Sequence, residues 1–277
     1  MTANDPLTAL VDLPGVAEAV AAARDAVDSL VWPRRLAGNG AALAVASRVH
    51  GAQACAAVEG IDFAVDAWRS GDAWDDSPMG RTAAGVWRCY RELPTQVDIW
   101  PRTPLQVLAR LHSLLARDLV DAGDLGRPRV GEPHDPLRVG SAPAVGELGE
   151  RLNMLAGLVA NGSTAPAPVE AAIVHGELLA LRPFTEGSGP IARMTTRLVI
   201  AARGLDPDML TVPEIGIMKL GRPSYVDAIR RYQSGSPDGV AAWIRFVCET
   251  IRVGALASEE LLDEISAGAL GKAPSQE

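Results

Sequence analysis

Two apolar helical runs joined by a single glycine-rich turn constrain this chain more than any other feature. Val169 to Leu181 and Pro190 to Arg203 both carry apolar residues at helical spacing. Between them, overlapping the second, lies Arg182-Pro-Phe-Thr-Glu-Gly-Ser-Gly-Pro-Ile-Ala-Arg193. Pro190 suits the first position of a helix, where its missing N–H would have no partner anyway. Gly204 is placed to end that helix. A glycine-rich turn feeding a helix N-terminus presents free N–H groups and the positive end of the helix dipole, which together favour an anion such as phosphate. Glu186, beside it, is a candidate ligand for a divalent cation, and Arg193, one turn into the helix, a candidate partner for phosphate. The same residues also make an ordinary helix corner, because a glycine-rich turn alone is a weak signal.

The order of residue types narrows the choice. The stretch resembles the signature of the Fic (Fido) family, H-x-F-x-(D/E)-G-N-G-R-x-x-R, with Phe184, Glu186, Gly187, Gly189 and Arg193 in register and Pro183 a common choice in that family. The resemblance implies an all-α, Fic-type helical bundle and protein adenylyltransferase chemistry, the movement of AMP from ATP to a protein hydroxyl (AMPylation). It also implies ATP and Mg²⁺ as cofactors, Glu186 as the metal residue, Gly187, Ser188, Gly189 and Arg193 around the phosphates, and an unnamed protein target.

Three positions depart from the signature. Arg182 stands where the family has its catalytic His, Ser188 where it has Asn, and Pro190 where it has the first Arg. An Arg guanidinium stays charged and accepts no proton. Loss of a general base typically removes about 10²–10⁴ of rate. Ser188 is shorter than Asn, and Pro190 removes both a cation and a backbone donor. These departures predict a catalytically impaired pseudoenzyme that binds a nucleotide or a protein partner. Two alternatives stay open: an active nucleotidyl- or phosphotransferase using another base, with His175 and His134 as the candidates, or a purely structural interaction module.

A second stretch extends the resemblance. Cys55-Ala-Ala-Val-Glu-Gly60 is similar to the inhibitory helix of many Fic proteins, (S/T)-x-x-x-E-(G/N), with Cys55 replacing the hydroxyl residue. By that resemblance Glu59 is regulatory and faces Arg193. Taken alone, Glu59 reads as a solvated residue at a helix end.

Composition bounds what remains. At 277 residues and 48% hydrophobic content, the chain can bury a sizeable core. A formal net charge of −8 argues against non-specific nucleic-acid binding. Cys55, Cys89 and Cys248 have neither metal nor framework spacing, which suits a reducing cytosol. No leader pattern and no apolar run of about 18 residues is present, so the expectation is a cytoplasmic protein with no membrane partner.

The coarse organisation is a helical extension over 1–39, a Fic-like domain over 40–257, and a helix end with a polar tail over 258–277. Helices are expected over Val16–Val31, from near Asn39 towards Val58, Ile61–Gly71, Thr82–Leu93 (ended by Pro94), Pro104–Leu119 and Gly146–Leu158, with further helices near Tyr225 and Trp243. His112 reads as a core residue. Residues 123–143 allow either a small β-hairpin, like the flap that clamps target peptides in Fic proteins, or a plain surface loop; prolines there weaken a strand.

Overall fold

The structure, a computed structural model, describes residues 5–268, which form twelve α-helices and no strand. Helix α1 (Val16–Val31) buries Val16, Val20, Ala23, Val27 and Leu30 along one stripe, as their spacing predicts. Pro33 opens the single-turn α2 (Pro33–Leu36), and α3 (Gly40–Val58) follows, packed through Ala52, Ala54, Cys55, Ala56 and Ala57. The helical region does not run on through 61–71 as expected. Gly60 takes φ +90° and breaks it, so α4 (Val65–Ser70) is a separate short helix.

Helix α5 (Pro78–Gln96) is capped by Ser77, whose Oγ accepts the Gly80 N–H at 3.0 Å. It runs past Pro94, contrary to expectation, because Pro94 lies in the last turn and removes only one late N–H. Helix α6 (Pro104–Leu115) stops short of Leu119, as the chain turns back to bring Gly126 beside His112. Residues 116–144 are irregular throughout, so the loop alternative for 123–143 holds and the hairpin flap does not form. Helix α7 (Val145–Asn161) completes this half.

Helices α8 (Ala167–Leu181) and α9 (Ser188–Ala202) pack side by side at the centre. Both are buried on nearly every side, which explains why α8 carries no polar stripe. Helix α9 starts two residues earlier than Pro190 suggests, with Gly187 as N-cap, so Pro190 is its third residue. All of the first four N–H groups lack a helical acceptor, so proline is tolerated at that position too. At the other end Gly204 (φ +74°) donates to Ala201 O and Leu205 to Ile200 O, each at 2.9 Å, the expected glycine stop.

Helices α10 (Pro213–Leu220), α11 (Arg222–Gln233) and α12 (Pro237–Ser266) enclose this pair. The 30-residue α12 is about 45 Å long. It packs against α1, α3, α8, α10 and α11 and runs unbroken through 257–258. Trp243 on α12 is fully buried and donates from its indole N–H to Ala172 O of α8 at 2.7 Å. One turn beyond Arg193, Arg197 fixes α9 to its neighbours by donating to Ser47 Oγ (2.8 Å) and Met209 O (2.6 Å), close to the buried Glu214. No described helix is long and apolar enough to cross a membrane.

Candidate functional site

The end of α8 delivers the motif. Arg182 is its C-cap, in the left-handed region at φ +43°, and its N–H closes the last turn on Leu178 O at 2.9 Å. Phe184 then turns inward and stacks flat on His112, with ring centroids 4.0 Å apart and planes 4° from parallel. His112 Nδ1 accepts the Gly126 N–H at 2.9 Å, and burial lowers its pKa to about 4. It is the core residue the sequence suggests. The Ser188 hydroxyl is engaged within the turn. Its Oγ accepts from the Phe184 N–H and donates to the Phe184 carbonyl, both at 3.0 Å, so the group is spent bracing the turn.

Glycine is required once in this turn, at 187, and at 189 its missing side chain leaves room for a neighbour. Gly187 takes φ +77°, and a Cβ there would lie 2.3 Å from Leu115 Cδ2. At Gly189 a Cβ would lie 2.6 Å from Glu59 Oε1. That contact brings the carboxylate at the end of α3 onto the first turn of α9, where free N–H groups and the helix dipole attract an anion.

Glu59 is ion-paired with Arg193, whose side chain is fully buried. The guanidinium also donates from Nη2 to Cys55 O at 3.1 Å, and its Nε lies 3.5 Å from Cys55 Sγ. Burial works against the Arg193 charge, but the facing Glu59, with Cys55 and Tyr225 nearby, holds its pKa above the ordinary guanidinium value. Burial likewise raises the Cys55 thiol pKa. Arg193 Nη1 is buried and makes no hydrogen bond within the described residues.

The irregular segment after α6 supplies the rest of the site. Arg129 and His134 donate backbone N–H groups to Pro183 O and Thr185 O, both at 2.8 Å. The buried Arg129 guanidinium clamps the segment to the motif, donating to Arg182 O (2.8 Å), Gly131 O (2.9 Å) and Pro143 O (2.7 Å). Asp135 reaches Arg182, with Oδ2 2.6 Å from Nη1, and His134 Nδ1 lies 2.8 Å from Glu186 Oε2. Arg182 Nε and Nη2 are buried without partners in the described residues. Sequence reasoning missed Arg129 and Asp135. Both lie in residues 123–143, the stretch that allows a hairpin or a loop, where no helical or strand period assigns a face to any residue.

The two candidate bases separate clearly. His175 is enclosed between Thr196 Oγ1 (3.0 Å from Nδ1) and the Tyr225 hydroxyl (2.7 Å from Nε2), with Trp243 edge-on to its ring. Burial, helped by Arg193, lowers its pKa to about 3, so it is a neutral core residue out of reach of a substrate. His134 is 59% exposed at its side chain and lies beside the motif. Among the described residues no group of three or more His, Cys, Asp or Glu side chains stands ready for a metal. Glu186 therefore offers a single carboxylate, which fits a cation whose remaining ligands come from phosphates and water. A cavity of about 680 Å³ between α7, α8 and α11 is lined by none of residues 182–193.

No protein-family model and no curated protein matches the chain. Solved structures do. A Fic family protein from Desulfovibrio desulfuricans G20 superposes with a TM-score of 0.70 at 18% identity, over 94% of this chain and 76% of that one. Fic-1 from C. elegans gives 0.67 at 16% identity, over 92% and 74%. A Fic domain containing signaling protein from Bacteroides thetaiotaomicron VPI-5482 gives 0.64 at 13% identity, over 92% of this chain and all of that one. The chain has the Fic fold.

Proposed function

We propose that this protein is a Fic-type pseudoenzyme, a domain that binds the phosphates of a nucleotide such as ATP at the N-terminus of α9, is held closed by Glu59, and does not transfer AMP by the family's route. The observation that carries this reading is the Glu59–Arg193 pair, in which an internal carboxylate lies against a buried guanidinium and the first turn of α9. A place that draws in an internal anion is chemically suited to an external one. The unpartnered donors of Arg193 and Arg182 point the same way, because a buried N–H without a partner costs about 1–3 kcal/mol. Gly187, Gly189 and Arg193 would face the phosphates, and Glu186 would hold a Mg²⁺ that neutralises them.

Loss of transfer follows from position 182. In the family that position takes the proton of the attacking hydroxyl. Here it carries a permanent cation paired with Asp135, which neither accepts a proton nor leaves room for one that does. Ser188 and Pro190 weaken the hold on phosphate further. The test is incubation with α-labelled ATP and Mg²⁺ or Mn²⁺, alone and with cell lysate, beside a direct titration of ATP. Weak binding without label on any protein is the expected result. Label on wild-type samples would refute the pseudoenzyme reading, and absence of ATP binding even in Glu59→Gly would refute the nucleotide reading.

A further inference from the structure

Each charged residue of the motif is matched by an internal group of opposite character. Arg193 has Glu59, Arg182 has Asp135, and Glu186 has His134. The last two partners are adjacent in sequence and lie on one strap, residues 129–136, which is also fastened by the backbone bonds to Pro183 O and Thr185 O and by the Arg129 clamp. Asp135 places an anion on Arg182, and His134 places an imidazole N–H on the Glu186 carboxylate. We infer that residues 129–136 are a ligand-discriminating strap, independent of Glu59, that yields only to a ligand bringing an anion and a cation together: a nucleoside polyphosphate chelated to a divalent metal.

Neighbouring residues on one pinned backbone leave together. A bare anion displaces Asp135 from Arg182 but gives Glu186 nothing in exchange for His134. A bare divalent cation does the reverse. A metal–polyphosphate complex satisfies both motif residues at once and so meets the least opposition. Selectivity for the chelate then belongs to His134 and Asp135, beyond what chelation gives by itself.

This rests on the nucleotide reading above, and the experiment separates the two. In a Glu59→Gly background, which removes the other lock, ATP is titrated with Mg²⁺ and with EDTA, and Mn²⁺ alone is followed by electron paramagnetic resonance. Asp135→Asn should tighten metal-free ATP about tenfold, roughly 1.4 kcal/mol. His134→Asn should tighten Mn²⁺ binding, and the double variant should narrow the ratio of Mg²⁺-bound to metal-free ATP affinity. With the strap unaltered, saturating Mg²⁺–ATP should speed hydrogen exchange at the Arg129 and His134 amides, a readout that needs no variant to fold. Unchanged affinities in the strap variants, or amides that stay protected in the bound state, would overturn the strap while leaving nucleotide binding in place. No ATP binding in any variant would overturn both.

Discussion

The carboxylate of Glu59 sits where a side chain at Gly189 would have to be, and from there it pairs with Arg193. The pair joins the end of α3 to the start of α9, so one contact ties two helices together at the motif.

Removing it should therefore have two opposite effects. Glu59→Gly leaves a fully buried guanidinium without its counter-ion, and breaking a buried pair from one side costs about 3–5 kcal/mol. The unliganded variant should melt earlier than wild type, while its affinity for Mg²⁺–ATP rises by about tenfold or more, and ATP should restore part of the lost melting temperature. A variant that is both less stable and no better at binding would show that Glu59 is structural only.

Gly189→Ala tests the same contact from the other side. Position 189 is the second residue of α9, so its backbone accepts alanine. Its methyl group meets the end of a flexible side chain, and the Glu59 carboxylate should swing away. We expect a smaller gain in ATP affinity than in Glu59→Gly, read by calorimetry. A loss of affinity would mean that the methyl group crowds the phosphate instead.

Stability should fall as pH drops below neutrality. His175 and His112 are neutral in the fold, with pKa values lowered to about 3 and about 4 by burial, against 6.5 for the free side chain. Between pH 6.5 and about 4 the unfolded chain binds protons at both positions and the folded chain does not. Stability therefore drops with falling pH, by up to about 1.4 kcal/mol per pH unit for each histidine. Urea unfolding from pH 7 to 4 measures the slope, and His175→Gln should make it shallower. An unchanged slope in that variant would place the titration elsewhere.

Arg182→His restores a proton acceptor but not the rest of the site. Alone it should give no detectable transfer, because the Glu59–Arg193 pair is still in place. Combined with Glu59→Gly it should give slow AMP transfer from labelled ATP, rising when Ser188→Asn and Pro190→Arg are added. A full combination that binds ATP and transfers nothing would favour the interaction-module alternative.

The sequence by itself determined the all-helical character and the motif, though not every helix end. The buried stripe of α1 follows from apolar spacing, and the apolar run of α8 suits a helix buried on nearly every side, which needs no polar face. Gly187 and Gly204 mark turns because their positive φ suits a residue without Cβ. That Glu59 meets Arg193 was expected only from the resemblance of 55–60 and 182–193 to two Fic patterns, since the local geometry of either stretch does not place it against the other. Pairings across irregular backbone were decided only in three dimensions. Residues 116–144 have no repeat from which to read a face, so nothing in the sequence places Asp135 on Arg182, His134 on Glu186 or the Arg129 clamp. The fate of Ser188 was hidden for a related reason. Whether a hydroxyl meets a ligand or its own turn depends on a few ångströms of backbone path, and that path is set by how Phe184 packs against His112.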